Sequence, residues 1–161
     1  MHVRTATVDD AEAISRLVCA SFDRYIAPGW AEEGCQHFAA ENSPDKLAPK
    51  IASAAICLVC ERDAEVVGVI YLPGPTRVQL FFAAAGQVRT GIGRALWSEV
   101  RAQLAARHPE VTTVELNSSP YAVASYKALG FFPISKQFRR RGAVATRMAC
   151  WLPGDSLEEA P

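Results

Sequence analysis

Gln87-Val88-Arg89-Thr90-Gly91-Ile92-Gly93-Arg94-Ala95-Leu96 is where the hydrophobic period of the chain changes. Just before it, Val78-Gln79-Leu80-Phe81-Phe82 reads as a strand. After it, Ile92, Leu96, Val100 and Leu104 form a stripe at helical spacing from 91 to 107, closed by His108-Pro109. Val111 to Leu116 is then a β-branched strand. A strand, a helix and a strand in this order predict a right-handed crossover between parallel neighbours.

Working outward, the segments before the loop pair differently. Ile56 to Cys60 and Glu65 to Leu72 are strand signals joined at Arg62-Asp63-Ala64, which predicts an antiparallel hairpin that 78–82 extends into a meander. Arg4-Thr5-Ala6 ends a short first strand. Thr7 is a candidate N-cap with Asp10 three residues on, and Ala13, Ile14, Leu17, Val18 and Phe22 predict a helix over 8–22. Pro28-Gly29 breaks it, and residues 30–55 hold one or two short helices, with Ser43-Pro44 opening the second. On the far side, Pro120 opens another helix that Gly130 closes, and 131–138 and 143–152 read as a final strand pair. The fold class is α/β, with a mostly antiparallel sheet and one parallel crossover. The domain is expected to span 1–154, with 155–161 a frayed acidic tail.

A chain of 161 residues, half of them apolar and 21% charged, can bury one core without disulfides or metal. Seventeen basic and seventeen acidic residues balance, which argues against a protein held mainly by nucleic-acid phosphates. No run reaches the ~18 apolar residues of a membrane span, and the first ten residues do not read as a secretory signal. Cys19, Cys35, Cys57, Cys60 and Cys150 are odd in number and irregular in spacing, as expected of reduced thiols in the cytoplasm. Cys57 and Cys60 lie three apart on a strand and so face opposite sides, which argues for buried structural thiols over a metal pair.

The glycine loop carries the strongest chemistry. Glycines let the backbone turn sharply and approach a ligand. The first N–H groups of the following helix lack intrahelical partners and suit a phosphate or diphosphate, with Arg89 and Arg94 adding charge. A dinucleotide fingerprint is a partial match only. Leu96 stands where a third glycine or alanine belongs, although Glu115 lies at about the right distance for the ribose acid.

Leu80-Phe81-Phe82, the loop Gly91 to Leu96, and Asn117-Ser118-Ser119-Pro120-Tyr121-Ala122-Val123-Ala124-Ser125-Tyr126-Lys127-Ala128-Leu129-Gly130-Phe131 together resemble a GCN5-related N-acetyltransferase (GNAT). The resemblance centres on 78–132 and extends over nearly the whole chain. It implies a mixed, mostly antiparallel sheet, splayed at a central parallel strand pair and flanked by helices. It implies acetyl-CoA as co-substrate and no metal. The pantetheine arm would lie in the splay on the backbone of Leu80, Phe81 and Phe82, and the diphosphate on Val88, Arg89, Thr90, Gly91, Ile92, Gly93 and Arg94. Ser119 and Tyr126 complete the expected cofactor contacts. Three features depart from the family pattern. Val88 stands where Gln or Arg is usual, Ala83 to Gly86 is one residue longer, and Ser119 stands where many members carry Asn.

The implied reaction is acetyl transfer to a primary amine by direct attack in a ternary complex. Tyr126 is the expected general acid; the same residue would otherwise pack its helix on the sheet. Glu115 is the expected base, directly or through a water, with a solvated strand glutamate as the alternative; His37 is the other titratable candidate. Phe22, Tyr25, Trp30, His37 and Phe38 mark either an acceptor pocket or the core beneath the helices. Arg139-Arg140-Arg141 suits the 3′-phosphate of CoA, an acidic acceptor or a solvated turn. Related domains commonly dimerise. Two other classes compete: a non-catalytic acyl-CoA-binding or protein-interaction domain, and a nucleotide-binding domain. No membrane or nucleic-acid partner is expected.

Overall fold

Ile56 to Cys60 has no polar position because both faces of its strand are covered. The computed structural model describes residues 1–87 and 89–153. The expectations placed on Val88 and on the tail at 155–161 therefore lie outside the described residues. The elements are β1 (His2–Thr5), α1 (Ala11–Tyr25), α2 (Glu32–Glu41), α3 (Pro44–Ser53), β2 (Ile56–Arg62), β3 (Glu65–Leu72), β4 (Leu80–Ala83), α4 (Ile92–Arg107), β5 (Thr113–Ser118), α5 (Val123–Ala128), β6 (Phe131–Pro133), β7 (Phe138–Arg140) and β8 (Ala143–Trp151). Short 3-10 turns at Val8–Asp10, Ala27–Gly29 and Pro120–Ala122 lead in or out of the helices.

Two sheets form a V. One is antiparallel in the order β1-β2-β3-β4; the other runs β5-β8-β6, with β7 also pairing to β8. On the first sheet, Cys57, Val59, Val69 and Tyr71 pack under α1 and α3. Ile56, Leu58, Cys60 and Ile70 face the opposite way, onto α4 and the second sheet. Cys57 and Cys60 thus lie in different cores, as strand alternation demands, and burial pushes the Cys57 thiol up to about 12. Neither is poised for chemistry.

The stripe Ile92, Leu96, Val100 and Leu104 is fully buried, and each such side chain contributes about 1.5–3 kcal/mol relative to exposure. The helix sits so close to β3 that a Cβ on Gly68 would collide with Ile92 and Leu96. The hairpin between β2 and β3 turns on Asp63 and Ala64, both at positive φ (52° and 64°), the geometry of a tight primed turn. At the start of the chain, the Asp10 carboxylate accepts the Thr7 N–H at 2.8 Å, so the expected helix start is real. That first turn is 3-10, and α1 runs to Tyr25 instead of ending at Phe22. The Arg4 guanidinium clamps Asp10 at 2.8 and 2.9 Å and Glu61 at 2.7 Å. It holds the Asp10 carboxyl below its usual range.

The segment expected as one strand from 131 to 138 is broken into β6 and β7. The Ser135 hydroxyl accepts the Arg147 N–H at 3.0 Å, taking the donor that a continuous ladder would use. Both pieces pair antiparallel with the nine-residue β8.

Candidate active site

The site begins where the two sheets touch. Val78 N–H donates to Glu115 C=O at 2.9 Å, and Glu115 N–H donates to Thr76 C=O at 2.9 Å. This parallel bridge, centred on Arg77 and Glu115, is the crossover that the sequence pattern predicts. Beyond it β4 and β5 share no ladder. A cavity of about 590 Å³ opens there, lined from both arms.

Strand alternation decides which backbone groups face the gap. Phe81 C=O accepts the Tyr126 hydroxyl at 3.3 Å from across it, and Ala83 C=O accepts Ser21 Oγ. Ala84 N–H instead donates to Val67 of β3. The N–H and C=O of one strand residue point the same way, so Phe81 and Ala83 turn their backbone to the gap and Phe82 turns its own to β3. The gap-facing N–H donors expected near Phe82 are those of its neighbours. The Phe82 ring lies instead on the α2 side, 6.0 Å from the Phe38 ring. Leu80 is buried at the root of the strand.

Gly91 adopts φ 86° at the N-terminus of α4, and Arg89 adopts φ 65°. Only glycine takes the first without strain. The first intrahelical bond is Ala95 N–H to Gly91 C=O, so Ile92, Gly93 and Arg94 present N–H groups without intrahelical partners. Thr90 Oγ1 donates to Gln87 C=O at 2.6 Å, and Arg62 holds the Gln87 side chain at 2.7 Å, which fixes the loop from behind. Gly93 and Arg89 lie on the cavity wall, whereas the Ile92 side chain is core.

Ser119 is 9% exposed and its Oγ has no hydrogen-bond partner. A buried hydroxyl left bare costs about 1–3 kcal/mol. On the wall of this cavity it fits the amide of a pantetheine arm. Together with the gap-facing edge of β4 and the bare N–H groups of α4, it makes the residues present fit CoA.

Tyr126 stands beside it, its ring 5.7 Å from that of Phe81 and 5.8 Å from that of Phe131. Burial of its hydroxyl pushes the phenol above its ordinary value, so it stays protonated through neutral pH. Glu115 is placed differently from expectation. Its backbone joins the sheets at the closed end of the V, and its side chain is not among those lining the cavity. Asn117, two residues on, does line it.

The aromatic residues answer both expectations. Phe22 is buried in the core, stacked on Phe38 at 3.9 Å between centroids, with Trp30 edge-on at 5.0 Å. Trp30, His37, Phe38 and Tyr25 also line the cavity. Sequence reading passed over Tyr121, which stacks on Tyr25 at 4.7 Å and joins the two arms across the cleft. It also passed over Glu41 and Lys50, paired at 3.2 Å on the wall. No short-range pattern marks either pair, because each is brought together from separate elements. Of the Arg139–Arg141 run, Arg140 and Arg141 reach the wall. Among the described residues there is no cluster of metal-ligating side chains and no helix long and apolar enough to cross a membrane.

The family model described as Acetyltransferase (GNAT) domain matches residues 26–152. No curated protein matches the chain. Among solved structures, it is similar to a GCN5-related N-acetyltransferase from Rhodopseudomonas palustris, with TM-score 0.81, 19% identity and coverage of 94% of this chain and 95% of that one. It is similar to the PaiA N-acetyltransferase of Thermoplasma acidophilum in complex with coenzyme A, with TM-score 0.75, 15% identity and coverage of 93% and 98%. It is also similar to the ribosomal-protein-S18-alanine N-acetyltransferase of Escherichia coli, with TM-score 0.64, 16% identity and coverage of 98% and 99%. The splayed sheet, the glycine loop and the family match agree: this chain belongs to the GNAT family of acetyltransferases.

Proposed function

We propose that this protein transfers an acetyl group from acetyl-CoA to a primary amine by direct attack in a ternary complex. The observation that carries the reading is the open end of the V. There, gap-facing backbone of β4, the bare hydroxyl of Ser119 and the phenol of Tyr126 meet in one cavity. Among the described residues no cysteine lines that cavity, so it offers no thiol for an acetyl-enzyme.

In this reading the N–H groups of Ile92, Gly93 and Arg94, with Arg89, hold the diphosphate. The gap-facing N–H of Phe81 or Ala83 stabilises the carbonyl oxygen as charge develops on it. A bond forms between the amine nitrogen and the acetyl carbon, the carbon–sulfur bond breaks, and the amine gives up one proton while sulfur gains one. Tyr126 donates toward the sulfur. Its phenol is less acidic than a thiol of pKa ~8.5, so a complete transfer in the ground state is uphill. Its contribution is greatest as the sulfur becomes basic on leaving. A base role for Glu115 requires a water relay from the closed end. The simpler course is an amine that loses its proton to bulk water before binding.

The test is initial-rate kinetics over a panel of amines with detection of free thiol. Intersecting lines when acetyl-CoA and amine are both varied support the ternary complex. Parallel lines, or an acetylated protein found without amine, contradict it. Tight acetyl-CoA binding with no amine turned over would favour a non-catalytic acyl-CoA-binding domain.

A further inference from the structure

The acceptor half of the cavity has a chemistry of its own. Trp30 lies on its wall, and its indole Nε1–H is buried without a partner. A buried donor with nothing to bond is a cost that a ligand acceptor atom would remove. Around it the surroundings are apolar: the Phe22–Phe38 stack, Trp30 edge-on to both at 5.0 and 6.2 Å, and Phe82 tilted against Phe38.

Charge on the wall is one-sided. Glu41 is the single carboxylate among the described lining residues, and Lys50 already pairs with it. The Glu41 carboxyl is lowered chiefly by that Lys50 hydrogen bond. Arg140 and Arg141 line the same cavity, and among the described residues no carboxylate pairs with either. A polycationic amine would meet cations here.

The mouth is also bridged. Ala31 N–H, at the start of α2, donates to Gly142 C=O in the β7–β8 turn at 2.9 Å. A Cβ on Gly34 would come within 2.8 Å of the Gly142 backbone, and one on Gly142 within 2.8 Å of Gly34 N. Only two glycines allow a helix from one arm to touch a turn from the other so closely. The Tyr25–Tyr121 stack makes a second bridge. Both ties narrow the passage left for an extended peptide between the two arms.

We infer that the acceptor is a small primary amine carried on an aromatic body that also bears a carboxylate, an inference that rests on the acetyl-transfer reading. The ring packs against Phe38 and Trp30, which Phe22 backs from the core; the carboxylate accepts from the Trp30 N–H and faces Arg140 and Arg141.

The experiment uses L-tryptophan, L-phenylalanine, 2-phenylethylamine, spermidine and a pentapeptide with a free N-terminus. Two readouts are taken: kcat/KM with acetyl-CoA, and the melting temperature of the protein with each amine alone. Aromatic amino acids should exceed spermidine and the peptide by at least about 30-fold and 2-phenylethylamine by about tenfold in kcat/KM, the scale of one hydrogen bond to a charged group. They should also raise the melting temperature. Trp30→Phe removes ring packing for every aromatic amine and the N–H for the amino acids alone, so it should cost the amino acids about tenfold more than it costs 2-phenylethylamine. Arg141→Gln, on an exposed turn, should act in the same direction without altering the melting temperature of the free protein. Preference for spermidine or the peptide overturns the inference and leaves acetyl transfer standing. So does acetyl-CoA binding with no aromatic amine either bound or acetylated. Aromatic amino acids that bind while acetyl-CoA does not would instead sink the acetyl-transfer reading and keep the chemistry of the pocket.

Discussion

At Glu115 the two sheets are stitched by two backbone hydrogen bonds; at Phe81 and Ser119, a few residues further along the same two segments, no backbone bond joins them. The closed end satisfies its polar groups internally and behaves as ordinary sheet. The open end leaves strand-edge donors, a bare buried hydroxyl and a desolvated phenol. Buried polar groups are normally paired, and the contrast supports the open end as the ligand site proposed above. It also separates residues that hold the V together from those that work inside it.

The largest effect expected is at the open end. Tyr126→Phe should lower kcat about 100-fold, at the low edge of general acid contributions, with acetyl-CoA affinity changed less than about threefold. Equal loss of kcat and affinity would make Tyr126 a packing residue. Next comes the clamp remote from the gap. Asp10→Asn should cost about 1–2 kcal/mol of stability at pH 7, because Arg4 and Thr7 both donate to that carboxylate. Its folded pKa is lowered. The stability it supplies is therefore present above the unfolded value of about 3.9 and lost as pH falls through the folded one. Denaturation midpoints of variant and parent should converge below that window and differ at pH 7; a constant gap would remove the charge argument. Acetyl-CoA binding should be unaffected.

Ser119→Ala has a divided signature. The free protein should be unchanged or slightly more stable, since a bare buried hydroxyl is removed, while the acetyl-CoA dissociation constant rises about fivefold. Loss of stability without loss of affinity would show that the hydroxyl serves the fold. Glu115→Gln is the smallest. Its backbone does the stitching, so kcat should stay within about twofold and the pH profile should follow the amine. A large fall at neutral pH, with a lost ionisation, would restore Glu115 as base through a water.

Much of this was legible in the sequence where interactions are local. The stripe of Ile92, Leu96, Val100 and Leu104, the β2–β3 hairpin and the glycines at 91 and 93 declare themselves by spacing. The run from Asn117 to Phe131 carried the family likeness. What was not legible depends on contacts between distant segments. The break between β6 and β7 follows from Ser135 meeting Arg147 on another strand. Strand position leaves Glu115 open as base or as a solvated strand glutamate, and the bridge to Thr76 and Val78 places it at the closed end. Trp30 reads as core ahead of pocket, and the fold gives it both places: its ring packs on Phe22 and Phe38, and it lines the cavity.

The most direct test of the central claim is calorimetric titration with acetyl-CoA, with NAD as control. One-site binding of acetyl-CoA and no binding of NAD are expected. Binding of NAD in preference, or no binding of acetyl-CoA, would contradict the assignment of the open end of the V as an acetyl-CoA site.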